Sequence, residues 1–253
     1  MPRTAREKSE SGIYHIMLRG INRQDLFEDD EDRQKFIEKL VLYKEKSSYK
    51  IYAYCLMSNH VHMLLHETKD SLSLVIKRIS SSYVYYYNKK YGRCGHLLQE
   101  RFKSEAVETD NYLLTVLRYI HQNPRKANMI NKLEEYKWSS YNEYLDGGKL
   151  VDVDYVLSML AEDKNVAIQR FINFCNEENK DECLRYEENK RINDETAREL
   201  IKRMAAVKNI IELQRLDKGQ RDIIIKKLKG IDGLSIRQIA RLTGFSYSLV
   251  LKT

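Results

Sequence analysis

Two histidines one residue apart, His60 and His62, sit inside the apolar run MSNHVHMLL at residues 57–65. In an extended strand, residues i and i+2 point to one face, about 6–7 Å apart along the chain. Imidazoles so placed can converge on a single cation, or they can pack as a hydrogen-bonded pair; a buried ring needs a partner for each nitrogen either way. A third ligand would decide between the two. Cys94 and His96, in CGH, offer one set, which with the pair would make a zinc site. His66 shares the face of His62 but lies ~13 Å along the strand, too far to share an ion. The stretch LRYIHQNPRKA at residues 117–127 offers another: Tyr119 and Asn123 are four apart and so lie on one helical face. A phenol beside an amide oxygen is a nucleophile next to a ligand. Against this stands the abundance of tyrosine, 18 in the chain, most of which must be structural. Pro124 disfavours helical geometry at Asn123, so a kink or helix end is expected there.

The flanking elements must bring these residues together. IYHIMLR at residues 13–19 alternates in character and predicts a strand ending at Gly20. DDEDRQKFIEKLVLYKEKSS follows as a helix with an acidic first turn. YKIYAYCLM and HVHMLLHE predict two strands joined at Ser58-Asn59. SLSLVIKRISSSYVYYYNKKYG is a second amphipathic helix closed by Gly92, then come a short strand near FKSEAVE and the helix NYLLTVLRYIHQN. The order β-α-β-β-α-β plus one helix predicts an α+β fold with a ferredoxin-like antiparallel sheet. From about Val151 everything reads as helical: residues 154–175, residues 194–215, and three short pieces in the tail, with the charge-rich NEENKDECLRYEENKR between. The expected domains are 1–145, a helical connecting region 146–216, and 217–253.

Of 253 residues, 44 are Lys or Arg and 37 are Asp or Glu, a net charge of +7. The excess is uneven. Residues 151–200 carry 13 acidic and 7 basic side chains, whereas residues 217–253 carry 8 basic and 3 acidic ones. Basic ends around an acidic middle suggest two surfaces for a polyanion. No apolar run approaches the ~20 residues of a membrane span, and the start, MPRTAREKSESG, lacks a signal peptide's apolar centre, so a cytoplasmic, nucleoid-associated protein is expected. Four cysteines without a CxxC pair give little support to a disulfide framework.

SNHVHMLL resembles the HUH motif (His, hydrophobic residue, His), and YIHQNPRKA resembles the tyrosine helix of the Y1 transposases. With YHIMLRGINRQDLF near the start and LLQERFKSEAVE before the tyrosine helix, residues 10–145 resemble the REP-associated tyrosine transposases, relatives of the IS200/IS605 transposases. The resemblance implies an HUH-type nuclease. His60 and His62 would bind Mg²⁺ or Mn²⁺ with Asn123 as third ligand, and Tyr119 would attack single-stranded DNA at hairpin-associated sites to form a 5′-phosphotyrosine. Relatives in the insertion-sequence branch carry glutamine where Asn123 stands; asparagine is similar to the REP-associated branch.

Arg19, Arg23, Arg101 and Lys103 are the charges expected along the DNA backbone. In YVYYY, Tyr83, Tyr85, Tyr86 and Tyr87 cannot all face one side of a helix, so core packing is favoured over base stacking. LSIRQIARLTGFSYSLVLKT reads as a helix-turn-helix: Ile236, Ile239, Ala240 and Leu242 pack the first helix, Gly244 makes the turn, and Ser246–Leu251 form the second. Arg237, Ser246 and Tyr247 would contact duplex DNA. The protein is expected as a monomer or homodimer with no membrane partner. The rivals are an inactive DNA-binding regulator, a relaxase-like nicking enzyme, and a zinc-structured protein using His60, His62, Cys94 and His96.

Overall fold

The computed structural model describes residues 6–99, 101–184, 192–231 and 233–253, in two compact units, Met1–Arg185 and Tyr186–Thr253.

In the first unit, strand β1 (Ile13–Arg19) leads to helix α1 (Asp30–Ser47), the hairpin strands β2 (Lys50–Met57) and β3 (His60–His66), helix α2 (Leu72–Lys90), the short strand β4 (Lys103–Ala106) and helix α3 (Asp110–Lys126). The α+β expectation holds. The four strands form one antiparallel sheet in the order β2-β3-β1-β4, so that β1 and β3, both buried along most of their length, are central. Local chemistry sets the helix ends. Asp29 and Asp32 form a reciprocal capping box at the start of α1, whose first turn is acidic and whose last turn carries Lys44 and Lys46, as the helix dipole favours. Thr109 caps α3 by accepting from the Tyr112 N–H.

As an edge strand, β2 would expose unpaired backbone groups. Residues after α3 take them up. Leu56 N–H donates to Trp138 O at 2.9 Å, Ser140 N–H to Tyr54 O at 3.0 Å, and Asp152 N–H to Ile51 O at 2.8 Å. This pairing binds the chain beyond residue 145 into the first unit. Helices α4 (Tyr141–Asp146), α5 (Val153–Leu160) and α6 (Lys164–Asn176) follow, and Phe171 of α6 stacks on Tyr144 at 4.3 Å within the main core.

The second unit comprises α7 (Asp194–Ala205), a 3-10 turn at Ile210–Arg215, α8 (Lys218–Lys229), α9 (Ile236–Thr243) and α10 (Tyr247–Lys252) around its own core of Ile201, Leu213, Ile225, Leu228, Ile239 and Val250. The expected connecting region 146–216 is therefore shared between the units, because Val156 and Phe171 bury in the first core while Ile201 and Leu213 bury in the second. Each of the two long helices expected there is interrupted. Residues 154–175 break ahead of α6, where Asp163 accepts from Val166 N–H, and residues 194–215 break at Ala206, whose φ is +53°. Part of the charge-rich link, residues 185–191, lies outside the described residues. No helix among the described residues is long and apolar enough to cross a membrane.

Candidate active site

Directly opposed residues of an antiparallel sheet share a face. The register therefore writes the site as three rows on one face: Met57, His60 and Arg19; Cys55, His62, Met17 and Lys103; Ala53, Leu64, His15 and Glu105. Alternation sends Ile16, Leu18, Val61 and Met63 to the opposite face, where all are buried. His60 and His62 thus stand side by side, with ring centroids 5.1 Å apart and planes near perpendicular.

Each histidine is held by a neighbour. His60 Nδ1 lies 2.7 Å from the Asn59 side-chain oxygen, an acceptor, so the ring donates from Nδ1. Burial, reinforced by the positive charge of Arg19 in the same row, pushes the His60 pKa down to about 4. His60 is therefore neutral at physiological pH. His62, only 1% exposed, has Nδ1 at 2.9 Å from Nε2 of His15. His15 is fully buried, and burial lowers its pKa against the opposing influence of Glu105. Its Nδ1 is 3.7 Å from Glu105 Oε2, an ion-pair distance rather than a hydrogen bond.

Helix α3 brings the phenol to the same face. The Tyr119 ring meets His62 edge-on at 5.6 Å and His15 at 5.8 Å, and the Lys126 ammonium lies 5.4 Å from its centroid. One turn on, Asn123 donates its side-chain N–H to the Tyr119 carbonyl at 2.8 Å. With its nitrogen engaged as a donor, the amide keeps Oδ1 as the atom able to accept or ligate. The helix end expected near Asn123 comes three residues later. Pro124 lies inside α3, which runs on to Lys126. Tertiary contacts override the local penalty: Gln122 donates to Cys175 O at 2.7 Å, and Arg125 donates to the Asn176 side chain at 3.1 Å. A bidentate pair from Arg118 to Asp181 further fastens α3 beside Tyr119.

Of the four cations expected along DNA, Arg19 and Lys103 share the face of the histidines through their strand register. Arg23 and Arg101 lie outside the strands and are exposed. In the second unit Arg237 and Tyr247 line a surface hollow of ≈ 680 Å³ with Arg241 and Phe245, and Tyr247 is 47% exposed. Ser246 caps α10 by accepting from the Leu249 N–H, which still leaves its hydroxyl proton to donate. Tyr83 and Tyr87 are buried, whereas Tyr85 is 72% exposed, so the tyrosine run serves mostly the core.

Cys94 and His96 do not join the histidine pair. Among the described residues no group of three or more His, Cys, Asp or Glu could hold a metal ion, which removes the four-residue zinc set. His66 is engaged elsewhere, 3.1 Å from the Tyr52 hydroxyl. Two residues of the site escaped the sequence reading, His15 and Glu105. The signal for His15 was present in IYHIMLR, which puts an imidazole in an apolar strand just as MSNHVHMLL does.

A family model described as "Transposase IS200 like" matches residues 8–123. Among solved structures, one described as "Structure of the REP associates tyrosine transposase bound to a REP hairpin" is similar to this chain, with a TM-score of 0.51 and 17% identity over 58% of this chain and 86% of that one. At that identity the likeness speaks for the fold. No curated protein matches the chain. His15, His60, His62, Glu105, Tyr119 and Asn123 all fall within the matched residues. The segment that builds this site is similar to the IS200-like transposase family over residues 8–123.

Proposed function

We propose that the first unit is a metal-dependent endonuclease and strand transferase for single-stranded DNA, with Tyr119 as nucleophile and His60, His62 and Asn123 as metal ligands. One observation carries this reading: a phenol from a helix and two imidazoles from a strand 57 positions earlier in sequence meet on one sheet face. The donor set fits a divalent cation. His60 is neutral and donates from Nδ1, so its lone pair is on Nε2, and the Asn123 amide is engaged through its nitrogen, which keeps its oxygen as an acceptor. Two imidazoles and one amide leave coordination positions for phosphate and water; imidazole favours Mn²⁺ over Mg²⁺, and Mg²⁺ is the more available ion. When bound, the cation would act as a Lewis acid on the non-bridging oxygens of the scissile phosphate.

The chain's own residues do the rest. The Tyr119 oxygen attacks phosphorus, its proton is lost, and a phosphotyrosine ester forms on the 5′ side of the break. The bond to the 3′ oxygen breaks, and that oxygen leaves as a hydroxyl. Because the ester keeps the energy of the broken bond, rejoining to another 3′-hydroxyl needs no nucleotide cofactor. Roughly one phenol in a thousand is ionised at neutral pH, so positioning matters more than bulk ionisation. The edge-on packing of Tyr119 against its own chain's His62 supports a site completed within one protomer. Arg19 and Lys103 would bind flanking phosphates.

The second unit supports duplex binding. α9, the left-handed Gly244 (φ +75°) and α10 follow one another as in a helix-turn-helix, and Arg237 and Tyr247 lie on its surface. The hairpin named for the structural neighbour is proposed as the substrate form here also.

The deciding experiment incubates the protein with labelled hairpin and linear oligonucleotides in Mg²⁺ or Mn²⁺ and resolves the products on a denaturing gel. A protein–DNA adduct is expected with the wild type and none with Tyr119→Phe, which should still bind DNA. An adduct retained by Tyr119→Phe would assign the nucleophile elsewhere.

A further inference from the structure

We propose that Glu105 and His15 form a positioning relay that sets the tautomer of His62, holding its proton on Nδ1 and its lone pair on Nε2. The metal role of that lone pair rests on the function proposed above; the tautomer itself does not.

The argument is one of proton counting. A neutral imidazole has one N–H, so a ring that offers a lone pair at Nε2 must carry its proton on Nδ1 and donate it. The His62 Nδ1 faces His15 Nε2 at 2.9 Å. For that bond to run from His62 to His15, the His15 proton must be on its own Nδ1. This atom is buried, makes no full hydrogen bond, and lies 3.7 Å from Glu105 Oε2. A carboxylate only accepts, so it fixes the direction of every bond behind it. Glu105 attracts the His15 proton to Nδ1, His15 Nε2 then accepts, and His62 is forced to donate from Nδ1.

Placement supports the same reading. Glu105 sits directly opposite His15 in the sheet register, and its Oε2 also accepts from the Leu184 N–H at 3.2 Å, which anchors it. The Glu105 side chain is 37% exposed, whereas the His15 side chain that it faces is fully buried. His60 solves the same problem more simply, through the Asn59 oxygen next to it in sequence. Both imidazoles are thus locked through Nδ1, one by a local acceptor and one by a relay across three strands. Metal-ligating histidines commonly need such a partner, and its loss typically costs 10–100-fold in metal affinity.

Two measurements on the full chain test the relay. Ring ¹⁵N chemical shifts of the metal-free wild type should show His62 with its proton on Nδ1; a proton on Nε2 would overturn the proposal. Mn²⁺ titrations should then show about tenfold or greater weakening for His15→Leu, which keeps the bulk and loses the acceptor. His15→Gln should retain most of the affinity, because its oxygen can accept from His62 while its amide donates to Glu105. A folded His15→Leu protein that binds Mn²⁺ as tightly as the wild type would also defeat the relay, since a space-filling role would be served equally by leucine. If Mn²⁺ fails to broaden the His60 and His62 signals in the wild type, the metal reading falls, and the metal-free shifts still judge the tautomer separately.

Discussion

His62 in the first unit is 1% exposed, hydrogen-bonded by another buried histidine and covered by a helix. Tyr247 in the second unit is 47% exposed and lines an open hollow with Arg237 and Arg241. The first arrangement withdraws a few polar groups from water and fixes each by a named partner, as a reacting centre requires. The second leaves Arg237 and Tyr247 exposed while Asp194 holds Arg241 through both terminal nitrogens, at 2.6 and 2.7 Å, and its exposed cation suits long-range attraction to a phosphate backbone. The cores differ to match. The first spans both faces of a sheet and much of six helices, whereas the second gathers mainly small and aliphatic side chains from short helices.

The largest expected effect is on the buried centre alone. His60→Ala or His62→Ala should lower oligonucleotide cleavage by about a thousandfold, in line with the loss of a transition-state charge stabiliser. Duplex affinity, measured by anisotropy, should be unchanged; a parallel fall in both would erase the contrast between the units. Next comes the small core. Ile239→Ala removes a fully buried side chain and should cost about 2–4 kcal/mol in the second unit's unfolding transition. Duplex binding should weaken while cleavage of single strands persists, and calorimetry with a gel assay checks both.

Titration gives a third test. All six histidines lie in the first unit, and the second has none. Burial holds His60 near 4 and His121 near 3, below their unfolded value of about 6.5. Between those values the unfolded chain binds protons that the native chain refuses, so stability is full above about pH 6.5 and falls as the pH drops towards 4. For His60 alone the loss is at most about 3 kcal/mol. Urea denaturation of metal-free protein at pH 7.5 and 4.5 should show this slope in the first unit's transition, and His60→Asn should reduce it. The smallest effect is at Gly244, whose φ of +75° resists side chains and where an added Cβ would meet the Gln214 amide. Gly244→Ala should cost about 1 kcal/mol in the second unit only.

Much of the first unit was legible because its signals are local. Period-two alternation marked β1 and β3, the acidic turn marked the start of α1, and the four-residue spacing of Tyr119 and Asn123 marked their shared face. What stayed hidden depends on pairing between distant segments. His15 and His62 are 47 positions apart, and nothing in either strand states the register that joins them. The limit of the first unit was hidden for the same reason, since residues 138–152 complete the edge of β2. Pro124 pointed to a helix end near Asn123, and α3 runs three residues further, where Gln122 and Arg125 reach the end of α6.

The three cross-strand rows also constrain how the gene can change. Since side chains alternate, inserting one codon between Ile13 and Tyr14 would turn Tyr14, Ile16 and Leu18 to the histidine face and send His15, Met17 and Arg19 to the apolar one. Substitutions can be absorbed one at a time, but such a frame-preserving insertion would remove three site residues at once. Across descendants of this sequence, the length of that strand should therefore vary less than its composition.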